Sequence, residues 1–173
     1  MTLFTIALLI FAPMLIEAAR ARRNERAQMA RGGIEPEDDV YNIMQIVYPT
    51  AFVAMLAEWV LRPGTATAST AVVVFGAVVF AAAKTIKWWA ILALGRCWTF
   101  RVIVVPGDPL VASGPCRYFR HPNYVGVFGE LLGAAVMTRA LVAGPIAIIV
   151  FAVLLQKRIA VEDGALRAAK MAK

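Results

Sequence analysis

Residues 70–94 read TAVVVFGAVVFAAAKTIKWWAILAL. The run exceeds the roughly 20 apolar residues that carry an α-helix across a bilayer core. Only Lys84 and Lys87 interrupt it with charge. The stretch therefore predicts a membrane-spanning helix from Thr70 to about Leu94, with two amines to be accounted for inside the membrane.

Working outward, further apolar runs predict spans at Thr2–Ala19, Val40–Leu61, Tyr124–Thr138 and Ala140–Gln156. Composition agrees: of 173 residues 61% are apolar and 17% charged, with a mean hydropathy of +0.71, far from the soluble average. The first run has no basic residue before it and no small-residue cleavage site after it, so it reads as a retained span rather than a secretory signal. The expected fold is all-α, an integral membrane bundle of about five transmembrane helices. We divide it at 86/87, into three N-terminal helices with an Arg-rich loop at 20–39 and a C-terminal core of loop, helical hairpin and tail. The last two spans are short enough to form a hairpin packed on the others. Gly126, Gly129 and Gly133 share one helical face, which lets another helix approach closely.

The net charge of +7 does not point to nucleic acid, because the arginines flank hydrophobic spans instead of interleaving with aromatic residues on a soluble domain. Membrane topology accounts for them. RARRNERAQMARGGIEPEDD (20–39) carries five arginines and is closed by Gly32, Gly33 and Pro36, and alternation of the spans puts it on the same side as 95–123 and the tail. Fourteen of the 18 basic residues then lie on that side, against Arg62 and Arg139 on the other. The positive-inside rule makes the crowded side cytoplasmic. The expectation is a prokaryotic plasma-membrane protein with its N-terminus outside and its C-terminus in the cytoplasm. Cys97 and Cys116 lack metal-ligand spacing, so no metal site or disulfide framework is expected, and both read as small buried hydrophobes.

The segment GRCWTFRVIVVPGDPLVASGPCRYFRHPN (95–123) is punctuated by proline and glycine and holds four arginines and the chain's single histidine. A turn-rich loop with free backbone N–H groups beside arginines suits an anionic or zwitterionic small molecule; the plainer alternative is headgroup binding by a basic loop. His121 precedes Pro122, which pushes it to extended backbone at the residue before a helix. A helix N-terminus lowers the proton affinity of a nearby imidazole, so a neutral His121 is expected. Glu130 lies roughly 9 Å into its helix, where a carboxylate needs a partner. Lys84 lies at a matching depth, so the two are expected to pair. Beyond the last span, Arg158 and Glu162 stand at i, i+4 on one helical face, with Asp163 next. This tail reads as a short amphipathic helix or a frayed end that closes a site with the His121 loop.

RHPNYVGVFGE (120–130), followed after the hairpin by RIAVED (158–163), resembles the isoprenylcysteine carboxyl methyltransferase family, as does the lead-in LGRCWTFRVIVVPGDPLVASGPCRYF (94–119). The likeness covers about Lys87 to Leu166. It implies an S-adenosyl-L-methionine-dependent membrane O-methyltransferase whose cofactor lies between the RHPxY loop and the acidic pair, and whose lipophilic substrate enters from the bilayer. On that resemblance the cofactor-binding residues are Val111, Gly114, Pro115, Arg117, Tyr118, His121, Pro122, Tyr124, Glu162 and Asp163. Arg158 and Glu162 are catalytic, and Glu130 and Lys84 are substrate-related or structural. Cys116 departs from the family's usual GPYRY, Asp163 from its usual second Glu, and the longer aromatic C-terminus of eukaryotic members is absent. The PGDPLV lead-in is similar to that of short members acting on phenolic lipids such as alkylresorcinols. A carboxylate acceptor would arrive ionised and be oriented by Arg158, whereas a phenol, with a pKa near 10, wants Glu162 or His121 as base. Two other readings compete: an NADPH-dependent membrane sterol or steroid reductase, which shares an HPxY helix arrangement, and a non-catalytic lipid-binding membrane protein. The expected partners are membrane lipids and a lipophilic small molecule, with no nucleic acid; the oligomeric state is left open.

Overall fold

A computed structural model of the chain describes residues 3–37, 39–62, 69–108 and 111–171. Most of the turn expected at 62–69, Pro109 of the long loop and Lys173 of the tail lie outside the described residues. Among those described, the helices are α1 (Leu3–Met29), α2 (Tyr41–Leu61), α3 (Thr70–Leu94), α4 (Pro122–Thr138) and α5 (Ala143–Met171). Four of them, all but α4, are long and apolar enough to cross a membrane. With 17 residues, α4 measures roughly 25 Å and packs as the inner member of the bundle, burying Leu131, Ala134 and Met137 among others.

Helix α3 and helix α4 are antiparallel and in backbone contact. Gly76 faces Met137, Phe80 faces Gly133, Ala83 faces Gly129, and Lys87 faces Gly126. A Cβ at Gly133 would lie 2.5 Å from the Phe80 nitrogen, and one at Gly76 would lie 2.4 Å from that of Met137. No side chain fits there, so the glycine face expected on α4 is what lets the two backbones meet, with Gly76 as its counterpart on α3. An apolar cluster joins the other helices to α4: Ile6 and Ile10 of α1, Phe52 and Met55 of α2, and Phe151 and Leu155 of α5 share it with Leu131. Tyr48 lies edge-on to Phe52 and is tilted against Phe151.

Two helices run further than their apolar stretches. Helix α1 continues past Ala19 through the Arg-rich segment to Met29, since Arg, Ala, Glu and Gln favour helix. It ends where Gly32 takes a left-handed φ of 81°. Helix α5 continues past Gln156 to Met171, so the tail is one rod with the last span instead of a separate short helix or a frayed end. Gly164 alone does not break it. The cysteines also differ from expectation: Cys97 is exposed and Cys116 half-buried, and both are free thiols.

At the end of the bundle remote from the long loop, Glu58 of α2 caps α5. Its carboxylate accepts from the Ala143 N–H at 2.7 Å and the Val142 N–H at 3.1 Å, placing negative charge at the positive end of the helix. Glu58→Ala is expected to cost about 0.5–2 kcal/mol, read as a lowered thermal midpoint in detergent with unchanged ligand binding.

Candidate active site

The long loop at 95–121 is held by polar side chains of α1 and of the α1–α2 linker. Asn24 donates to the carbonyls of Gly95 and Trp98, and Gln28 donates to that of Arg96. Glu25 accepts from the backbone N–H groups of Phe100 and Arg101. Arg101 forms a two-oxygen contact with Glu35, Arg31 pairs with Asp108, and Ile34 bridges to Val104. The first half of the chain therefore positions the loop that the second half supplies.

The loop ends at His121, the N-cap of α4, with φ −132° and ψ 66° and proline in the first turn. Its ring stacks on Tyr124 at 5.3 Å between centroids. From α5, Glu162 approaches His121 Nδ1 at 3.6 Å and Asp163 approaches Nε2 at 3.8 Å. Tyr124 donates to Glu162 at 2.7 Å, and Arg120 reaches Asp163 at 3.2 Å. These five residues form one cluster where α4 begins and α5 extends beyond the bundle. Glu162 keeps 33% of its side chain exposed, which leaves it open to a ligand.

The neutral His121 expected from the helix N-terminus is not what this arrangement favours. The Glu162 carboxylate beside Nδ1 is the largest influence and raises the proton affinity of the ring; burial opposes it, while the charge of Asp163 adds to the rise and that of Arg120 subtracts. Two carboxylates in reach outweigh a half-charge of helix dipole. Because protonation is favoured in the fold, the contribution of this contact to docking α5 on the loop is complete below about pH 6.5, the unperturbed histidine value. It is lost as pH rises through the higher folded value. A histidine NMR titration in detergent is expected to give a midpoint above about 6.5, and protease nicking of the α5 extension is expected to increase above that midpoint.

Arg158 departs most from its expected use. It is buried, and all three of its nitrogens are committed within the protein: Nε donates to the Tyr124 hydroxyl at 3.2 Å, Nη1 to Asp39 at 2.6 Å, and Nη2 to the Phe100 carbonyl. Asp39 was not singled out by sequence reasoning, since nothing in GIEPEDD separates one acid from its neighbours. Of the remaining expected residues, Pro115 is buried in a short 3-10 turn, Gly114 takes a φ of 58° against Trp89 and Ala93, and Pro122 is buried at the start of α4. Arg117 and Tyr118 are exposed, and the structure brings neither their side chains nor Val111 into a polar contact with the His121 cluster.

Beneath the cluster, inside the bundle, Lys84 meets Glu130 at 2.7 Å, the pairing their depths predict. Two further charges complete a ring. Lys84 also meets Glu17 at 3.1 Å, and Lys87 meets Glu17 at 2.7 Å and Glu130 at 3.3 Å. Tyr48 donates to Glu130 at 2.5 Å. Helices α1, α2, α3 and α4 each contribute, and positive and negative groups alternate around the ring. An ionisable residue in the apolar run of α1 was the available signal for Glu17.

The charged groups of this half-buried cluster suit a zwitterionic amino-acid group: Glu162 and Asp163 for an ammonium, a protonated His121 and Arg120 for a carboxylate. A family model described as the isoprenylcysteine carboxyl methyltransferase (ICMT) family matches residues 71–168. The uncharacterized protein YpbQ of Bacillus subtilis (strain 168) is 33% identical to 87% of this chain and covers 88% of its own length. An uncharacterized protein of Haemophilus influenzae is 24% identical, over 83% of each chain. No solved structure matches the chain.

Proposed function

The chain belongs to the isoprenylcysteine carboxyl methyltransferase family and is a membrane methyltransferase, and we propose that it transfers the methyl group of S-adenosyl-L-methionine to a carboxylate or phenolic oxygen of a lipid-like acceptor in the bilayer. The observation that carries this reading is the convergence of His121, Tyr124, Glu162 and Asp163 at one half-buried cluster beside the loop. When bound, the cofactor supplies an electrophilic methyl on a sulfonium, which an oxygen attacks in line.

Glu162 and Asp163 take the cofactor's ammonium, and His121 and Arg120 its carboxylate. Tyr124 holds Glu162 through its hydroxyl and supports the His121 ring by stacking. No covalent enzyme intermediate is needed, so the protein's contribution is alignment at about 3 Å and exclusion of water. The apolar bundle and the bilayer supply that exclusion. A phenolic acceptor needs a base. A carboxylate acceptor needs none. The excess of basic residues in the loops on its side supports an orientation with this cluster facing the cytoplasm and the N-terminus outside.

Calorimetry on the purified protein in detergent tests the reading. Heat of binding is expected with S-adenosyl-L-methionine and none with NADPH. Binding of NADPH alone would favour the reductase chemistry, and binding of neither would leave a lipid-binding role.

A further inference from the structure

We propose that Asp39 is a positioning residue of this site: it holds the Arg158 guanidinium against the 100–102 segment, keeps that cation off Glu162, and so leaves Glu162 free for an ammonium ligand. The inference rests on the proposed cofactor chemistry only for its last clause.

Arg158 and Glu162 stand one turn apart on α5, where an arginine and a glutamate ordinarily pair. Among the described residues they do not: the ion pair of Arg158 is with Asp39. Asp39 lies 119 positions away in the chain and outside the matched 71–168 region. Its side chain is 4% exposed and that of Arg158 is 7% exposed. Asp39 is itself held on three sides. Oδ1 accepts from Arg158 at 2.6 Å and from the Tyr41 N–H at 3.1 Å, and Oδ2 accepts from the Val102 N–H at 2.8 Å. The Phe100 carbonyl takes another arm of the same guanidinium.

With its two terminal nitrogens held there, Arg158 presents only Nε toward the site, and that contact goes to the Tyr124 hydroxyl. The phenol stands between cation and carboxylate, accepting from Arg158 and donating to Glu162. Glu162 is thus met by a neutral hydroxyl and by His121 instead of by arginine, and has lone pairs to spare. If Asp39 loses its charge, a buried guanidinium is left without a counterion, an expensive state. The nearest remedy is the carboxylate one turn along its own helix.

Asp39→Asn is therefore expected to close Glu162. Two measurements read this. The first needs no cofactor: the chain has a single histidine, and His121 faces Glu162 and Asp163 from α5, Arg120 from its own loop and Tyr124 from α4. With Arg158 on Glu162, the His121 titration midpoint should fall from the wild-type value. The second is the KM for S-adenosyl-L-methionine, expected to rise about tenfold or more through loss of a charge-assisted contact, with a smaller effect on kcat. The control is Glu25→Gln, which loosens the same loop at Phe100 and Arg101 without touching Arg158, and should leave the His121 midpoint in place. The double variant Asp39→Asn/Arg158→Met removes the displaced cation, and a buried ion pair replaced by neutral groups of similar volume is generally tolerated. It should restore the wild-type midpoint, and it keeps the test available if Asp39→Asn does not fold. An unmoved His121 midpoint in folded Asp39→Asn, an equal shift in Glu25→Gln, or a lowered midpoint in the double variant would overturn the proposal. A wild-type protein that does not bind S-adenosyl-L-methionine would overturn the cofactor reading instead, and the titrations would still decide the role of Asp39.

Discussion

Glu130→Ala is expected to destabilise the protein by about 3–5 kcal/mol, the usual cost of removing one partner from a buried ion pair. The residue is 1% exposed and touches both lysines and the Tyr48 hydroxyl. Its loss leaves two ammonium groups sharing Glu17 alone. Four helices meet at this ring, so the effect should be global: a lowered thermal midpoint in detergent and faster proteolysis throughout the bundle, with no selective loss of ligand affinity. Glu130→Gln combined with Lys84→Met removes one charge of each sign and should recover much of the loss. An unchanged midpoint in Glu130→Ala would show that the ring does not carry the stability of the bundle.

Glu162→Gln is expected to do the opposite, leaving the thermal midpoint nearly intact while weakening S-adenosyl-L-methionine binding about 10- to 100-fold, the scale of one hydrogen bond to a charged group. The amide keeps an acceptor for the Tyr124 hydroxyl but loses the charge that an ammonium needs. It also removes the largest influence raising the proton affinity of His121, so the histidine midpoint should fall together with the affinity. Calorimetry and the histidine titration on the same preparation check both. Unaltered affinity with a lowered midpoint would mean that Glu162 serves His121 and not the ligand.

Much of the bundle could be read along the chain. The spans at Val40–Leu61 and Thr70–Leu94 agree closely with α2 and α3, because an uninterrupted apolar run has one way to satisfy its backbone in lipid, as helix. The Lys84 and Glu130 contact was legible for a related reason. Residue count gives depth at a constant rise, and two opposite charges at equal depth attract strongly where water is scarce. The glycines of α4 likewise announced a close approach, though not that Gly76 would meet them. The ends of α1 and α5 were placed too early, because hydropathy stops where charge begins while helix propensity does not.

The site was less legible. RHPxY and the acid pair pointed to His121, Tyr124, Glu162 and Asp163, which do converge. The same motif logic gathered Val111, Arg117 and Tyr118, which are not in polar contact with them, and treated Arg158 as free. Composition, span length, helix formation and the depth of each charge follow from local chemistry, so the amino-acid order alone settled them for this chain. The rotation of each helix about its axis and the path of the 30–40 linker do not, since both depend on which distant surfaces bury best together. That is why Glu17 closed the ring unannounced and gave Lys87 its partner, and why the partner of Arg158 is Asp39 from the linker and not the glutamate one turn away on its own helix.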